Sequence, residues 1–229
     1  MPKKRKPEDF SYMDDLLDEV IVYIVRAFNS YKKRIMKFDE VNAFELTKSL
    51  YESIEAKAEK LYQEAAWWYY EGCGGRKSPK RRYGKGWLLE FLDAFDPVTG
   101  YIYFPEWERK MHRQYEEVVS QLYADPNRGK RDGKVTSQTQ TDIRKRMNRS
   151  EYLLTLQITQ KAIAAVDQAV LDAYRERGIT KVMWHTQRDE RVCDECRPRD
   201  KMIFDIDNLP KRHYKCRCWL QGVTDEDQR

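Results

Sequence analysis

The C-terminal part of the chain concentrates the side chains that bind soft metal ions. Five such residues lie in one short segment: Cys193, Cys196, His213, Cys216 and Cys218. The 192 residues before them contain one further cysteine, Cys73. Thiolate and imidazole donors in paired spacing are typical of tetrahedral zinc sites. A zinc-binding module at the C-terminus is therefore the strongest constraint on the fold.

The spacing defines two halves of a site. A Cys193-x-x-Cys196 turn lets two thiolates hold one face of an ion, and the other ligands must come from elsewhere in the chain. His213 with Cys216 or Cys218 would complete the tetrahedron, and an extended backbone would point both of these sulfurs to the same side. The choice stays open, with a narrow preference for Cys193, Cys196, His213 and Cys218. A disulfide within either cysteine pair is the alternative, but the neighbouring histidine favours a metal.

The donor set indicates a structural rather than a catalytic ion. Zinc sites that activate water keep one coordination position open, which three sulfurs and an imidazole do not leave. A zinc deaminase would require His-x-Glu, whereas His185 is followed by Thr186 and Gln187. We therefore expect a protein that is not an enzyme.

Composition indicates a folded and highly charged protein. The 229 residues include 43 Lys and Arg against 38 Asp and Glu, a net charge of +5, with 13% aromatic residues. That aromatic content argues against disorder, and no apolar run is long enough to cross a membrane. The clustered cysteines favour reduced thiols over a secreted disulfide framework. We find no secretory signal and expect no membrane association.

Apolar periodicity predicts a mainly α fold, with an N-terminal bundle of long helices and a small C-terminal α+β zinc-binding module. Helices are expected at 12–31, from just after Asp39 to about Tyr70, at 87–95 and at 105–123. A polar stretch at 136–142 is expected to precede a long helix that runs through Tyr174, with Gly178 as its left-handed cap. A seven-residue repeat in the second helix indicates antiparallel or coiled-coil-like packing against the first. Short strands are expected at 101–104, 182–186, 203–206 and 216–220.

Four segments follow from this pattern. They are a basic flexible tail (1–11), a helical domain with exposed basic loops (12–150), the long helix with the zinc-stabilised α+β module (151–223) and a short tail (224–229).

Two basic, glycine-containing loops are candidates for contacting nucleic acid. Their cations are Arg76, Lys77, Lys80, Arg81, Arg82 and Lys85 in the first loop, and Arg128, Lys130 and Arg131 in the second. Such residues can neutralise phosphates or can simply be solvated. Aromatic residues flank the first loop, and we expect them to pack in the core rather than to stack on bases.

The ordered C-terminal motif resembles a known family. It reads Trp184-x-Thr186-x-x-Asp189-x-Arg191-x-Cys193-x-x-Cys196, then Phe204, then Pro210-x-x-His213-x-x-Cys216-Arg217-Cys218. The motif and the alanine-rich helix before it resemble the head-morphogenesis proteins of tailed phages, the minor head proteins of the phage Mu F-like type, over roughly residues 160–223. Lys201 stands where that family often has glycine, and Tyr214 stands where it often has proline.

The resemblance implies a structural role in a bacteriophage virion. The protein would be a minor head protein acting in head morphogenesis, would associate with the portal or the major capsid protein, and could contact packaged double-stranded DNA. It would lie in the head interior, after assembly in the host cytoplasm, and could form an oligomer around the portal. The alternatives are a stand-alone zinc-containing nucleic-acid-binding protein and, ranked last, a zinc-containing nuclease.

Overall fold

The computed structural model describes Glu8, Arg113 and residues 10–35, 43–94, 130–131, 134–187, 192–212 and 216–224. The helices in this part of the chain are α1 (Phe10–Ile35), α2 (Ala43–Gly72), α3 (Pro79–Arg82), α4 (Lys85–Asp93) and α5 (Ser137–Glu176). The strands are β1 (Lys130–Arg131), β2 (Lys134–Val135), β3 (Lys181–His185), β4 (Ile203–Asp205) and β5 (Trp219–Val223).

Helices α1 and α2 form an antiparallel pair. The Tyr31 hydroxyl near the end of α1 lies 2.9 Å from Thr47 Oγ1 near the start of α2. At the other end, Lys57 of α2 pairs with Glu19 of α1. The seven-residue repeat of α2 buries Ala58, whose small side chain allows close approach of the neighbouring helices. The packing expected from the repeat is therefore present.

Helix α5 completes the bundle and leads into the sheet. Lys32 of α1 lies 2.7 Å from the Glu151 carboxylate of α5, which fixes α5 beside the first helix pair. At its C-terminus Gly178 adopts φ +77°. The Ile179 amide donates to the Tyr174 carbonyl at 3.0 Å, closing the glycine-capped turn that the sequence predicts.

The C-terminal sheet has the strand order β4-β3-β5, with both pairings antiparallel. Val182 and Trp184 of the central strand β3 point into the core, whereas Lys181 is exposed. Trp184 pairs with Leu220 of β5, and the Tyr174 hydroxyl of α5 donates to the Leu220 carbonyl at 3.1 Å. The sheet therefore rests on the last turns of α5.

The predicted fold class is confirmed: the chain is mainly helical with a small antiparallel sheet at the C-terminus. The segment boundary drawn at 150/151 falls inside α5 and stays a prediction. Helix α1 begins at Phe10, inside the expected tail, and the apolar stripe reaches Met13, which is buried. Strand β5 starts at Trp219, three residues later than expected, because residues 216–218 carry cysteines into a cluster rather than pairing with β3.

Some expectations fall on the other residues. The strand at 101–104 and the helix at 105–123 lie outside the described part of the chain, apart from Arg113. The second basic loop contains a two-residue antiparallel ladder between β1 and β2. None of the described helices is both long and apolar enough to traverse a bilayer.

Candidate metal centre

Three cysteines from two separate segments of the chain meet in the C-terminal module. The sulfurs of Cys196, Cys216 and Cys218 all lie within 4.8 Å of one another, and each residue is at most 4% exposed. Cys196 and Cys216 are 3.7 Å apart, and none of the five cysteines forms a disulfide. Among the described residues this is the cluster whose donor atoms could hold a metal ion.

Two chain segments position these sulfurs. Cys196 ends a turn that begins at Cys193, and a short 3₁₀ turn, Arg197–Arg199, follows it. Cys216 and Cys218 lie just before β5, two residues apart, and both point inward, as an extended segment requires.

Asp200, which follows the 3₁₀ turn, holds this segment against the end of β3. The Asp200 carboxylate accepts from the Thr186 amide at 2.9 Å and from the Thr186 hydroxyl at 3.1 Å. Lys201 then adopts φ +64°, and its amide donates to the Trp184 carbonyl at 2.7 Å. Lys201 is the position where the resembling family often has glycine, which accommodates that φ without strain.

The sulfur spacing fits a tetrahedral zinc ion. With Zn–S bonds of about 2.3 Å, sulfurs at tetrahedral corners stand ~3.8 Å apart. The 3.7 Å between Cys196 and Cys216 matches this value, and the third sulfur lies within the 4.8 Å limit. Three of the donors predicted from the sequence are therefore already gathered, including both Cys216 and Cys218, between which the spacing could not choose.

The other two predicted donors, Cys193 and His213, are not among the three gathered sulfurs. Cys193 is half-buried beside the core, and its sulfur accepts from the Cys196 amide at 3.3 Å. Such an amide–sulfur bond stabilises a thiolate at the first position of a Cys-x-x-Cys turn. His213 lies outside the described residues.

Protons are unevenly shared within the cluster. The hydrogen bond from Cys218, with further help from Arg212, lowers the pKa of Cys216 to about 4. Burial, followed by the negative charge of Cys216, raises the pKa of Cys196 to about 12. The hydrogen bond to Cys216 and burial also raise the pKa of Cys218. One thiolate is thus favoured by the protein alone, and a divalent cation would displace the protons of the other two thiols.

Arg212 supplies the positive charge beside this thiolate. Its Nη1 lies 3.6 Å from the Cys216 sulfur and donates to the Cys218 carbonyl. Its Nη2 donates to Asp167 of α5 at 2.6 Å, and the Arg212 side chain is only 10% exposed. Because three thiolates around a dication carry a net charge of about −1, this guanidinium offsets the excess and ties the cluster to α5.

The first basic loop is folded onto the helices rather than freely solvated. Arg82 pairs with Asp172 at 3.0 Å and Glu176 at 2.7 Å, and its guanidinium lies 5.6 Å and 5.9 Å from the ring centres of Tyr70 and Tyr83. We call these five residues the Arg82 clasp. Arg82 therefore differs from the solvated, phosphate-binding cation that the sequence suggests, because α5 provides two acidic partners.

The other cations of that loop remain at the surface. The Arg76 amide donates to Glu176 at 3.1 Å while its side chain is exposed, and Lys77 lies 3.7 Å from the same carboxylate. Lys80 lies 5.7 Å from the Trp67 ring centre. Arg81 and Lys85 are exposed, so this face of the loop remains positively charged.

The second basic loop is described only in part, and His185 lies outside the cysteine cluster. In the second loop Lys130 and Arg131 form β1, whereas Arg128 lies outside the described residues. His185 stacks on Trp219 with ring centres 4.1 Å apart, away from the cysteine cluster, and its Nε2 lies 2.8 Å from Gln221.

The aromatic residues around the first loop pack as expected. Tyr83 is fully buried, and its ring meets Tyr70 and Trp87 edge-on at 5.4 Å and 4.9 Å. Sequence reasoning missed the clasp and the roles of Arg212 and Trp184. No local signal distinguishes Arg212 from the other cations that lie near the donors in sequence, which are Arg191, Arg197, Arg199, Lys215 and Arg217.

Comparison with known proteins agrees with the motif. Residues 124–221 match the model of a family described as "Phage Mu protein F like protein". The C-terminal part of the chain is therefore similar to the phage Mu F-like family. The match begins earlier than the motif alone suggests, so that it includes all of α5. The family indicates a phage head-related protein and therefore a place in the virion. No curated protein and no solved structure matches the chain.

Proposed function

We propose that this protein is a minor structural component of a phage head that acts in head morphogenesis and associates with the portal or the inner face of the capsid. The observation that carries the proposal is the family match over residues 124–221, which contains the whole cysteine cluster. It is not an enzyme. The cluster is too enclosed to present an activated water, since Cys196 and Cys216 are at most 1% exposed.

The ion in this proposal is a structural Zn²⁺. Its ligands come from Cys193, Cys196, His213, Cys216 and Cys218. The three gathered sulfurs and the low pKa of Cys216 support thiolate coordination, and Zn²⁺ is the common cation for such a donor set. The ion stabilises a module whose sheet has only three short strands and little apolar core of its own.

Elemental analysis tests the metal. The purified protein is expected to contain one zinc per chain, and Cys216→Ser should lose it. Cys73→Ser is the matched control, because Cys73 is also buried but directly follows α2 and is not part of the cysteine cluster. Burial raises the pKa of Cys73 to about 12. A wild-type protein without bound zinc, or a Cys216→Ser protein with full occupancy, would refute the zinc site.

Association with head components tests the function. The protein should co-sediment with the portal ring or with capsid protein encoded by the same phage, and protease should degrade it only after the purified heads are opened. In the absence of its gene, heads should be misassembled or should fail to deliver DNA. A protein that is missing from purified heads and that binds neither component would contradict the proposal.

Contact with packaged DNA is a further part of the proposal. The exposed cations Arg76, Arg81 and Lys85 support it. Arg81→Gln should weaken binding to duplex DNA and lower the slope of log affinity against log salt by about one, as expected for one lost phosphate contact. Wild-type affinity that is independent of salt would argue against any phosphate contact.

A further inference from the structure

Trp184 occupies the centre of the C-terminal module and cannot readily change its position. It is 1% exposed. Its amide donates to the Met202 carbonyl at 2.8 Å, and its carbonyl accepts from the Lys201 amide at 2.7 Å. The backbone on both sides is therefore fixed by the segment that follows the Cys-x-x-Cys turn.

The indole ring is held from several sides as well. The guanidinium groups of Arg212 and Arg199 lie 5.1 Å and 5.7 Å from the ring centre, and Phe204 meets the ring edge-on at 6.1 Å. Arg212 also contacts the sulfur of Cys216, so one side chain touches both the ring and the cluster. The orientation of the indole is thus set by the same contacts that surround the thiolates.

The indole N–H of Trp184 has no hydrogen-bond acceptor among the described residues. Within this part of the chain, no nitrogen, oxygen or sulfur atom accepts a hydrogen bond from Trp184 Nε1, although the atom is buried. A buried N–H without an acceptor costs ~1–3 kcal/mol, and native proteins rarely retain one without a reason.

Cys218 lies on the correct side of the sheet to be that acceptor. Trp184 pairs with Leu220, and Cys218 is two residues before Leu220, so its side chain emerges on the same face as the indole. Such a diagonal neighbour across an antiparallel pair is within reach of an aromatic side chain.

We propose that Trp184 is a positioning residue of the metal centre, and that its indole N–H donates a hydrogen bond to the Cys218 sulfur when this sulfur is a metal-bound thiolate. A thiolate is a much better acceptor than a thiol, so the bond forms upon metal binding. The inference rests on the proposed metal site and assigns Cys218 to its ligands. It also gives the buried donor its function.

Nuclear magnetic resonance of the wild-type protein tests the bond without any substitution. With ¹⁵N-labelled tryptophan, the Trp184 indole N–H resonance should move downfield upon addition of Zn²⁺ or ¹¹³Cd²⁺ and should exchange slowly with solvent. With ¹¹³Cd²⁺ it should also show scalar coupling to the metal through the N–H···S bond. An indole resonance that does not respond while metal binds stoichiometrically would overturn the inference and leave the metal site intact. Failure of the metal to bind would overturn both.

Substitution provides a second and independent test. Trp184→Phe keeps an aromatic ring and removes the donor, so metal affinity should fall about tenfold, as for the loss of other groups that hydrogen-bond to metal ligands. In the Co²⁺-loaded protein the sulfur-to-metal charge-transfer band should shift to lower energy, because the thiolate lone pairs are no longer stabilised. A purely packing role for the ring would not move this band.

Trp219→Phe is the matched control. Trp219 is adjacent to Cys218 in sequence, but it is half-buried and stacks on His185 rather than on the cluster. Its substitution should leave the Co²⁺ spectrum and the metal affinity unchanged. Equal spectra and affinities for the two variants would refute the proposed hydrogen bond.

Discussion

The Arg82 clasp gives the most direct test of how the first basic loop is held. In Arg82→Gln, two carboxylates that are only 14–15% exposed would lose their shared cation. Arg82 itself is 27% exposed, so each ion pair is taken as worth ~1 kcal/mol, above a fully exposed pair and well below a buried one. The contacts of the Arg82 guanidinium with the rings of Tyr70 and Tyr83 add ~0.5–1 kcal/mol.

The expected loss in free energy of unfolding is therefore about 2–3 kcal/mol, measured by urea denaturation at pH 7 and constant salt. Arg81→Gln, one residue earlier on α3 and exposed, should change stability by less than ~0.5 kcal/mol. Arg82→Lys retains the charge but not the bidentate geometry, so it should lie between these values. Similar losses in Arg81→Gln and Arg82→Gln would show that the clasp does not stabilise the fold.

Three further outcomes are expected. Lys201→Gly should raise stability by ~0.5–1 kcal/mol in thermal or urea unfolding, because relief of the strain at φ +64° exceeds the added entropy of the unfolded chain. The hydrogen bond from Tyr70, followed by the Arg76 amide and Arg82, holds the pKa of Glu176 below its usual range. Its stabilising effect is therefore fully present above the unfolded pKa of ~4.3 and is lost as pH falls through the lower folded pKa. The difference in free energy of unfolding between wild type and Glu176→Gln should accordingly be largest at neutral pH and should shrink as pH falls through the folded pKa. Removal of zinc by a strong chelator should expose the chain after about residue 180 to proteases while leaving the helical circular dichroism largely intact; an unchanged digestion pattern would argue against a zinc-dependent module.

The helices and the cysteine cluster could be predicted because their signals are local. Apolar periodicity identifies α1, α2 and the end of α5 within about four residues. The start of α5 is missed, because its first turns, from Ser137 to Asp142, are polar and carry no apolar stripe. The spacing Cys216-x-Cys218 places two sulfurs on one side of an extended segment. The glycine after α5 marks its end for an equally local reason, since position 178 needs a positive φ.

The clasp and the surroundings of the cluster could not be predicted because they depend on tertiary contacts. Arg82 meets Asp172 across 90 residues of sequence, and Arg212 meets Asp167 across 45. In the sequence Arg82 stands in a run of cations without an acid, which indicates solvation. Only the parallel course of α2 and α5 brings acidic side chains to it, and this course follows from the bundle packing rather than from the loop.

The two parts of the molecule differ in what holds them together. The bundle buries large apolar side chains from three long helices, among them Phe28, Ile54 and Ile158, and needs no ion to do so. The C-terminal module instead places two guanidinium groups beside the Trp184 ring and gathers three thiols next to one of them, a polar arrangement that would be costly without compensation. A dication bound by thiolates resolves this cost at once, since it gives the guanidinium groups a negative cluster to face and gives the indole N–H an anionic acceptor. Removal of the metal is therefore expected to disorder the residues around Trp184 and to leave the helices largely unchanged.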